Sequence, residues 1–306
     1  MLEYLLKRLL HVIPVLLIVT LLIVCLTRMV PGDPIRLLLG EEATPEQYEE
    51  LQKEFGLDKP VLVQYFNYMK NLFKGDMGTS FFKHLKVTDD IGNRYPYTIK
   101  LAIFSALVST VIGVIFGVVA ALNRGKFWDS LIVIISLIAL SMPIFFLAII
   151  LMYIFGVNLK VLPIVGLSSW KHYILPVASL ATQSVATITR STRSAMLDVL
   201  GEDYIRTAKA CGIPKRTVIY KNAIRNAMIP VITTIGIQFG GLLTGAVITE
   251  TVFSINGMGT YMVNGVLMRD YPVVQGSILM FAIVFVVVNL ITDISYGLFD
   301  PRISYK

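Results

Sequence analysis

Apolar residues in this chain come in blocks and do not follow an amphipathic spacing. Six stretches carry no charged side chain: 9–27, 101–123, 131–159, 173–189, 226–249 and 271–292. Each is long enough, or nearly so, to cross about 30 Å of hydrocarbon at ~1.5 Å per residue. Inside lipid every backbone N–H and C=O must be paired within its own segment, so these stretches are predicted as helices. The pattern therefore predicts an all-α polytopic membrane protein with six transmembrane helices. A soluble helical protein would need a polar face on each helix, and the first, third and sixth runs have almost none.

The polar stretches between the runs are of two kinds. The first is a basic island at 202–230, holding Arg206, Lys209, Lys215, Arg216, Lys221 and Arg225 against only Glu202 and Asp203. It reads as two short helices around a turn. Glu202 and Asp203 suit the positive end of the first helix, Gly212 takes the left-handed conformation that closes it, and Pro214 opens the next. A helix–Gly–helix wedge lying under a membrane is a docking surface for something soluble.

The second is the long segment 30–97. Pro31-Gly32-Asp33-Pro34 is a turn that ends the first span. Thr44-Pro45-Glu46-Gln47 is a capping box: Thr44 caps, Pro45 is the first helical residue, and Gln47 reaches back. Tyr48, Leu51 and Phe55 then share a helical face that ends at Gly56. After Pro60, Leu62, Tyr65, Phe66, Met69 and Phe73 repeat at helical spacing. Two readings of this acidic segment stand side by side. One has amphipathic helices packing on the outer rim, and the other a landing surface for an external partner. Asp89 and Asp90, a lone acidic pair, read as a helix N-cap.

Composition agrees with the pattern: 55% of the 306 residues are hydrophobic and the mean hydropathy is +0.72. The net charge of +7 matters by its location. The chain ends and the connections after the second and fourth runs hold Lys7, Arg8, Arg124, Lys126, Arg190, Arg193, the six island cations, Arg302 and Lys306. The short opposite connections hold Lys160, Lys171 and Arg269. This asymmetry predicts both termini and the island in the cytoplasm. Cations scattered along one membrane face, without interleaved aromatics, exclude nucleic-acid binding. Cys25 in a span and Cys211 on the island predict neither disulfide nor metal site. The first run exceeds a signal-peptide core and lacks a small-x-small cleavage site, so it is read as a retained span.

Within the runs, His11 is expected at headgroup level or against another helix, although a proton site is the alternative. Gly113 and Gly117 predict a close helix contact. Pro143 predicts a kink in the third run. The fourth and fifth runs are unusually polar. Ser179, Thr182, Gln183, Ser184 and Thr187 lie in one, and Thr233, Thr234, Gln238 and Thr244 with four glycines in the other. Thr234, Gln238, Gly241 and Gly245 share a face at i, i+4, i+7 and i+11. This face is either hydrogen-bonding glue between helices or the wall of a path for a polar solute, with Ser179, Gln183, Thr234, Gln238 and Gly241 as its candidates. Glu250 is placed at the outer mouth, tying a helix end or touching cargo. Asp293 is placed near the cytoplasmic headgroups.

No chemistry for energy coupling is present. The stretch 120–127 fails the phosphate-binding loop pattern, because Ala120 stands where the first glycine should be and Phe127 follows Lys126. There is no metal-ligand spacing, no intramembrane carboxylate relay and no filter-like sequence. Such a path must borrow energy from a partner, and the basic island is the place to grip it.

Taken together, several pieces resemble the inner-membrane permease subunit of a bacterial ATP-binding-cassette importer, of the first ("B") type in the dipeptide/oligopeptide/nickel class. They are Leu6-Lys7-Arg8, Pro31-Gly32-Asp33-Pro34, Glu54-Phe55-Gly56-Leu57, Gly75-Asp76-Met77-Gly78-Thr79-Ser80, the island, Glu250-Thr251-Val252-Phe253 with Gly257-Met258-Gly259, and Asp300-Pro301-Arg302. The family's coupling motif is Glu-Ala-Ala, three residues, then Gly. Ala208 and Gly212 fit it, Arg206-Thr207-Ala208 is the peptide-class form, and Cys211 stands where a basic residue is usual.

The resemblance implies a type I importer permease fold with a small helical extracytoplasmic insertion. Its parts are 1–29 (tail and first span), 30–97 (the insertion) and 98–306 (the core, with a coupling loop at 198–226). It implies a bacterial inner-membrane location and no enzymatic activity in this chain. It also implies a heterodimer with a paralogous permease, an extracellular substrate-binding protein, and two cytoplasmic subunits that bind ATP and Mg. Asp203, Tyr204, Arg206, Thr207, Ala208, Lys209 and Gly212 would engage those ATPases. The implied cargo is di- or oligopeptide. The alternatives are a nickel chelate or other small solute and, from a different class, an ion-coupled secondary carrier.

Overall fold

A computed structural model describes residues 2–29, 32–40 and 43–299, with side chains from 10 to 292 apart from His11. The expectations placed on Lys7, Arg8, His11, Pro31, Asp293 and Asp300-Pro301-Arg302 fall outside the described residues or side chains. The helices are α1 Leu2–Met29, α2 Pro34–Leu39, α3 Pro45–Glu54, α4 Val61–Leu72, α5 Val87–Leu122, α6 Phe127–Ser141, α7 Ile144–Leu151, α8 Lys171–Gly201, α9 Asp203–Ala210, α10 Lys215–Thr217, α11 Arg225–Val252, α12 Met258–Leu267 and α13 Tyr271–Phe299. Two π-helical stretches, Met152–Asn158 and Val218–Ile224, follow α7 and α10.

Among the described residues, four segments are long and apolar enough to cross a membrane: Val12–Met29, Val87–Leu122, Lys215–Val252 and Tyr271–Thr292. The α6–α7 pair makes a fifth if it is counted as one span. Its halves are bent by 104°, which is a corner and exceeds the kink expected at Pro143. Proline lacks an N–H and pushes the preceding residue out of the helical region. Met142 is accordingly extended, with φ −88° and ψ 122°. α8 crosses the region predicted as the fourth span, but its Ser, Thr and Gln side chains make it too polar to qualify by composition.

The chain divides into two units, residues 1–98 with 256–286, and residues 99–255 with 287–306. In the first, the capping box forms as expected. Thr44 Oγ1 accepts from Gln47 N–H at 3.4 Å and Gln47 Oε1 from Thr44 N–H at 3.1 Å. Pro31-Gly32-Asp33-Pro34 does more than end a span, because Asp33 caps α2. Its Oδ1 accepts from Ile35 N–H at 2.9 Å, and its Oδ2 takes the Tyr48 hydroxyl of α3 at 2.6 Å. Asp89 and Asp90 lie in the first turn of α5, not at its cap, and Asp90 pairs with Lys83 at 3.4 Å. Val87, Ile91, Met258, Tyr261 and Val273 form the buried core. Asp270 is 3% exposed; it accepts from the Ser80 hydroxyl and from Phe81 N–H at 3.3 Å. Burial holds the Asp270 carboxyl above its usual range, and these hydrogen bonds offset that only in part.

In the second unit α8 packs against α6, α7 and α11. The contact predicted for Gly113 and Gly117 is with α8. A Cβ on Gly113 would stand 2.8 Å from Ile188 Cβ, and one on Gly117 would stand 2.7 Å from the Thr189 carbonyl oxygen. One buried cluster joins Ile188, Ala195 and Met196 of α8 to Ile205 and Ala208 of α9 and to Ala223, Ala227 and Val231. A second joins Leu101, Ala148, Leu175, Leu180, Leu242 and Phe253.

Candidate coupling elbow and solute path

The basic island folds as an elbow. α8 ends where Glu202 turns extended (φ −67°, ψ 148°), and α9 starts at the next residue. α9 has two faces, because its only apolar residues at i, i+3 spacing are Ile205 and Ala208. Ile205 is 0% and Ala208 8% exposed, and both sit in the cluster with Met196 and Val218. Asp203, Tyr204, Arg206, Thr207 and Lys209 are exposed. Ala208, expected among the residues that engage a partner, faces this chain's own core and anchors α9 there.

The helix closes as the left-handed glycine predicts. Gly212 has φ +73°. Its N–H donates to Lys209 O at 3.1 Å, and Ile213 N–H to Ala208 O at 3.2 Å. This is the paired bonding of a Schellman cap, which satisfies carbonyls the helix end leaves open. Pro214 then stands one residue before α10 as its cap, with φ −54° and ψ 136°. The second half of the elbow differs from the short helix expected. No Gly or Pro interrupts 215–229, so α10 and its π-helical continuation run straight into α11. Asn226 Nδ2–H donates to the Tyr204 hydroxyl at 2.9 Å and ties α9 to this second arm. All six elbow cations are exposed. Within α9, Arg206 and Asp203 lie 3.4 Å apart.

Sequence reasoning missed a brace beside the elbow. Arg193 of α8 grips Asp129 of α6 through both oxygens, at 2.6 and 2.8 Å. Gly125 N–H donates to the same carboxylate at 3.0 Å. Asp129 is 5% exposed. The available signal was a lone acid in the first turn of an otherwise apolar helix, which the burial rules require to be paired.

The polar residues of α8 and α11 meet across the helix pair. Ser184 Oγ–H donates to Gln238 Oε1 at 3.1 Å, and the Ser191 and Thr234 hydroxyls lie 2.8 Å apart. Gln183 Nε2–H donates to Met142 O at 3.1 Å, which satisfies a carbonyl freed by the corner at Pro143. Thr234 also borders a cavity of about 360 Å³ with Leu140, Thr187, Arg190 and Ser191. Gly241 is exposed, and a Cβ there would meet nothing within 4 Å. Ile237, Thr244, Ile248 and Thr251 are exposed with it. They form a mixed, uncharged face of α11 at i, i+4, i+7, i+11 and i+14. Two candidates do not border open space. Ser179 is 0% exposed and its hydroxyl returns to Pro176 O at 3.0 Å. Glu250 is also 0% exposed, buried within this chain.

Residues 113–305 match the binding-protein-dependent transport system inner membrane component family. Residues 1–102 match the N-terminal component of such membrane proteins. The chain belongs to this family. It is 42% identical, over all 306 residues and the full length of each relative, to the glutathione transport system permease protein GsiC of Escherichia coli (strain CFT073), and equally to that of Escherichia coli K12 and of Salmonella typhimurium LT2. The fold is similar to that of the inward-facing MetNI methionine ABC transporter, with a TM-score of 0.58 and 16% identity over 69% of this chain and 96% of that one. An amino acid ABC transporter gives 0.52, with 16% identity over 71% of this chain and 95% of that one.

As a family member the chain is the inner-membrane permease subunit of an ABC importer. It is not an enzyme, since ATP hydrolysis belongs to separate subunits. Permeases of this family bind no cofactor themselves, and they work with a second permease, ATPases and a binding protein.

Proposed function

We propose that this permease carries short peptides, glutathione-type tripeptides among them, inward across the bacterial inner membrane. A paralogous permease would supply the other half of the path, and an extracellular binding protein would deliver cargo. Segment 30–97 would face outward as its landing surface. Both termini and the elbow would lie in the cytoplasm, where two ATP- and Mg-binding subunits each grip one permease. The peptide assignment draws on the glutathione transport named for the relatives. The mixed, uncharged face around Gly241, with Gln238 and Thr234 beside it, suits polar cargo of varied side chains.

One observation carries the mechanism: α9 is anchored by Ile205 and Ala208 on one side and basic and exposed on the other. A rigid helix held this way acts as a lever. Closure of an ATPase dimer on Tyr204, Arg206, Thr207 and Lys209 would displace α9, and its buried face would drag the ends of α8 and α11. The bundle is then a bistable element biased by ATP. The assembled importer in proteoliposomes, given the binding protein and labelled tripeptide, tests this. Uptake is expected to require ATP and both ATPase subunits. Uptake that persists without them refutes the lever, and retention of a nickel chelate in place of peptide by the binding protein refutes the cargo.

A further inference from the structure

A half-open cavity of about 550 Å³ lies in the first unit, bordered by the end of α1, by residues 53–59, by α4, by residues 76–84 and by the start of α13. This is the size of pocket that holds small ligands. Two donors lining it lack acceptors. The Arg28 guanidinium is fixed in place, because it donates to Gln64 Oε1 and its Cζ lies 4.3 Å from the Tyr271 ring centroid. Its Nε–H nevertheless remains buried without a partner, and so does the Tyr68 hydroxyl. Buried donors are almost always paired, so two orphans on one cavity call for an occupant. Burial pushes the Tyr68 phenol up to about 12, which keeps it a donor at neutral pH.

The lining selects the chemistry. One unpaired guanidinium N–H and one unpaired hydroxyl ask for an anion with two oxygens. Arg28, Lys53 and Lys59 face Glu54 and Asp76 across the same lining. Three cations against two carboxylates leave one positive charge, which suits a single carboxylate better than a dianion such as phosphate. The acids leave a place for an ammonium group. Phe55 and Phe81, stacked at 4.0 Å, supply an apolar surface, and Gln275, 8% exposed, supplies an amide.

We propose that this cavity binds the carboxylate end of a short zwitterionic peptide, held by Arg28 Nε–H and Tyr68 O–H. The identity of the ligand rests on the peptide-import reading and the outward setting of segment 30–97; the carboxylate site itself does not. No residue of α11 lines the cavity, so it is a stopping point for cargo and not part of the α11 face.

The permease–ATPase complex in nanodiscs, without the binding protein, is dialysed against radiolabelled tri-alanine and against tri-alanine amide. Saturable binding of the acid is expected, with the amide weaker by about tenfold or more, the loss of one charge-assisted hydrogen bond. Tyr68→Phe is expected to weaken the acid by roughly three- to tenfold, leave the amide unchanged and not lower the melting temperature, since the hydroxyl it removes is unpaired. Arg28→Lys is expected to weaken the acid by more than it weakens the amide, whose carbonyl keeps one bond to the guanidinium. Equal binding of acid and amide, or an unchanged Tyr68→Phe, overturns the site. Weaker capture of the ligand-free binding protein by Arg28→Lys, with tri-alanine binding intact, assigns the donors to protein docking and also overturns it. Uptake is measured in parallel with the binding protein present. Normal uptake with acid–amide parity sinks the site alone, and discrimination without uptake supports the site and sinks the import reading.

Discussion

Gly212 is the position at which the proposed lever can be loosened without touching the membrane bundle. Its φ of +73° lies in the left-handed region, and no atom stands within 4 Å of a Cβ built there. Gly212→Val therefore meets no steric clash, and its whole effect is on the backbone. Holding a β-branched residue in that region costs roughly 1–3 kcal/mol, more than the ~1 kcal/mol that one of the two cap hydrogen bonds contributes. The cap is expected to open, releasing the bonds to Lys209 O and Ala208 O. A penalty of about 1.5 kcal/mol lowers the intact-elbow population about tenfold relative to the opened one. Peptide uptake and ATP hydrolysis are measured together in proteoliposomes, with melting followed in detergent. Hydrolysis is expected to continue while peptide imported per ATP falls several-fold, with melting nearly unchanged. Gly212→Asn, whose side chain tolerates the left-handed conformation, should retain most of the coupling. Wild-type coupling in the valine variant refutes the lever, and equal damage from Asn and Val shows that the absent side chain matters and the conformation does not.

Four further outcomes follow from particular contacts. Arg193→Gln breaks the brace on a nearly buried carboxylate; it should destabilise the permease by about 2–3 kcal/mol, between an exposed and a buried pair, and the double variant with Asp129→Asn should recover part of the loss in a thermal-shift cycle. Gly117→Ala should cost about 1–3 kcal/mol as overpacking, because the Thr189 carbonyl leaves no room; a melting temperature equal to wild type contradicts the close α5–α8 approach. Gly241→Trp points into open space and should leave melting unchanged while blocking peptide uptake; unimpaired uptake removes this face of α11 from the path. Asp270 has a raised folded-state carboxyl value, so its contribution to stability is fully present below the ordinary carboxylate range and is lost as pH rises through the folded value. Asp270→Asn stays neutral and should gain on wild type in melting temperature from acid to neutral pH, and a gap that is flat or moves the other way contradicts the burial argument.

What could be read from the sequence was whatever depends on one segment at a time. The Thr44 capping box, the left-handed Gly212 and the helices of the charge-free runs are local. The first two appear where the pattern puts them, while four or five of the six runs qualify as spans among the described residues. Properties that depend on two segments were harder to read. Pro143 was visible as a breaker, but the 104° corner frees a Met142 carbonyl that accepts from Gln183 Nε2–H, forty residues on. Ala208 belongs to a recognisable motif, yet whether it faces a partner or the core is decided by Met196 and Val218. The Asp129–Arg193 brace and the Ser80–Asp270 contact join residues far apart in sequence, and a single sequence carries no record of such pairs. The polar positions of α8 and α11 were legible as inward-facing. Only packing sorts Ser184 and Gln238, bonded to each other, from Gly241, which faces open space.

These contacts also bear on how a push on α9 would travel. α9 reaches the bundle through two kinds of contact. One is polar and peripheral, the hydrogen bond from Asn226 to Tyr204. The other is apolar and continuous, from Ile205 and Ala208 through Met196 of α8 to Ala227 and Val231 of α11. A net hydrogen bond contributes about 1 kcal/mol and can exchange with water. A close-packed interior has low compressibility and transmits displacement. The apolar contacts are therefore the stiffer link, and they lead to both helices at once, so in the proposed stroke α8 and α11 would move with α9 as one body. Their mutual bonds, Ser184 to Gln238 and Ser191 to Thr234, can then stay intact during the stroke. In the proposed stroke the slip would then fall elsewhere, on the exposed face of α11, where a Cβ on Gly241 would meet nothing within 4 Å. Polar glue between α8 and α11 and a solute path along α11 are thus compatible, since they occupy different faces of the same helix.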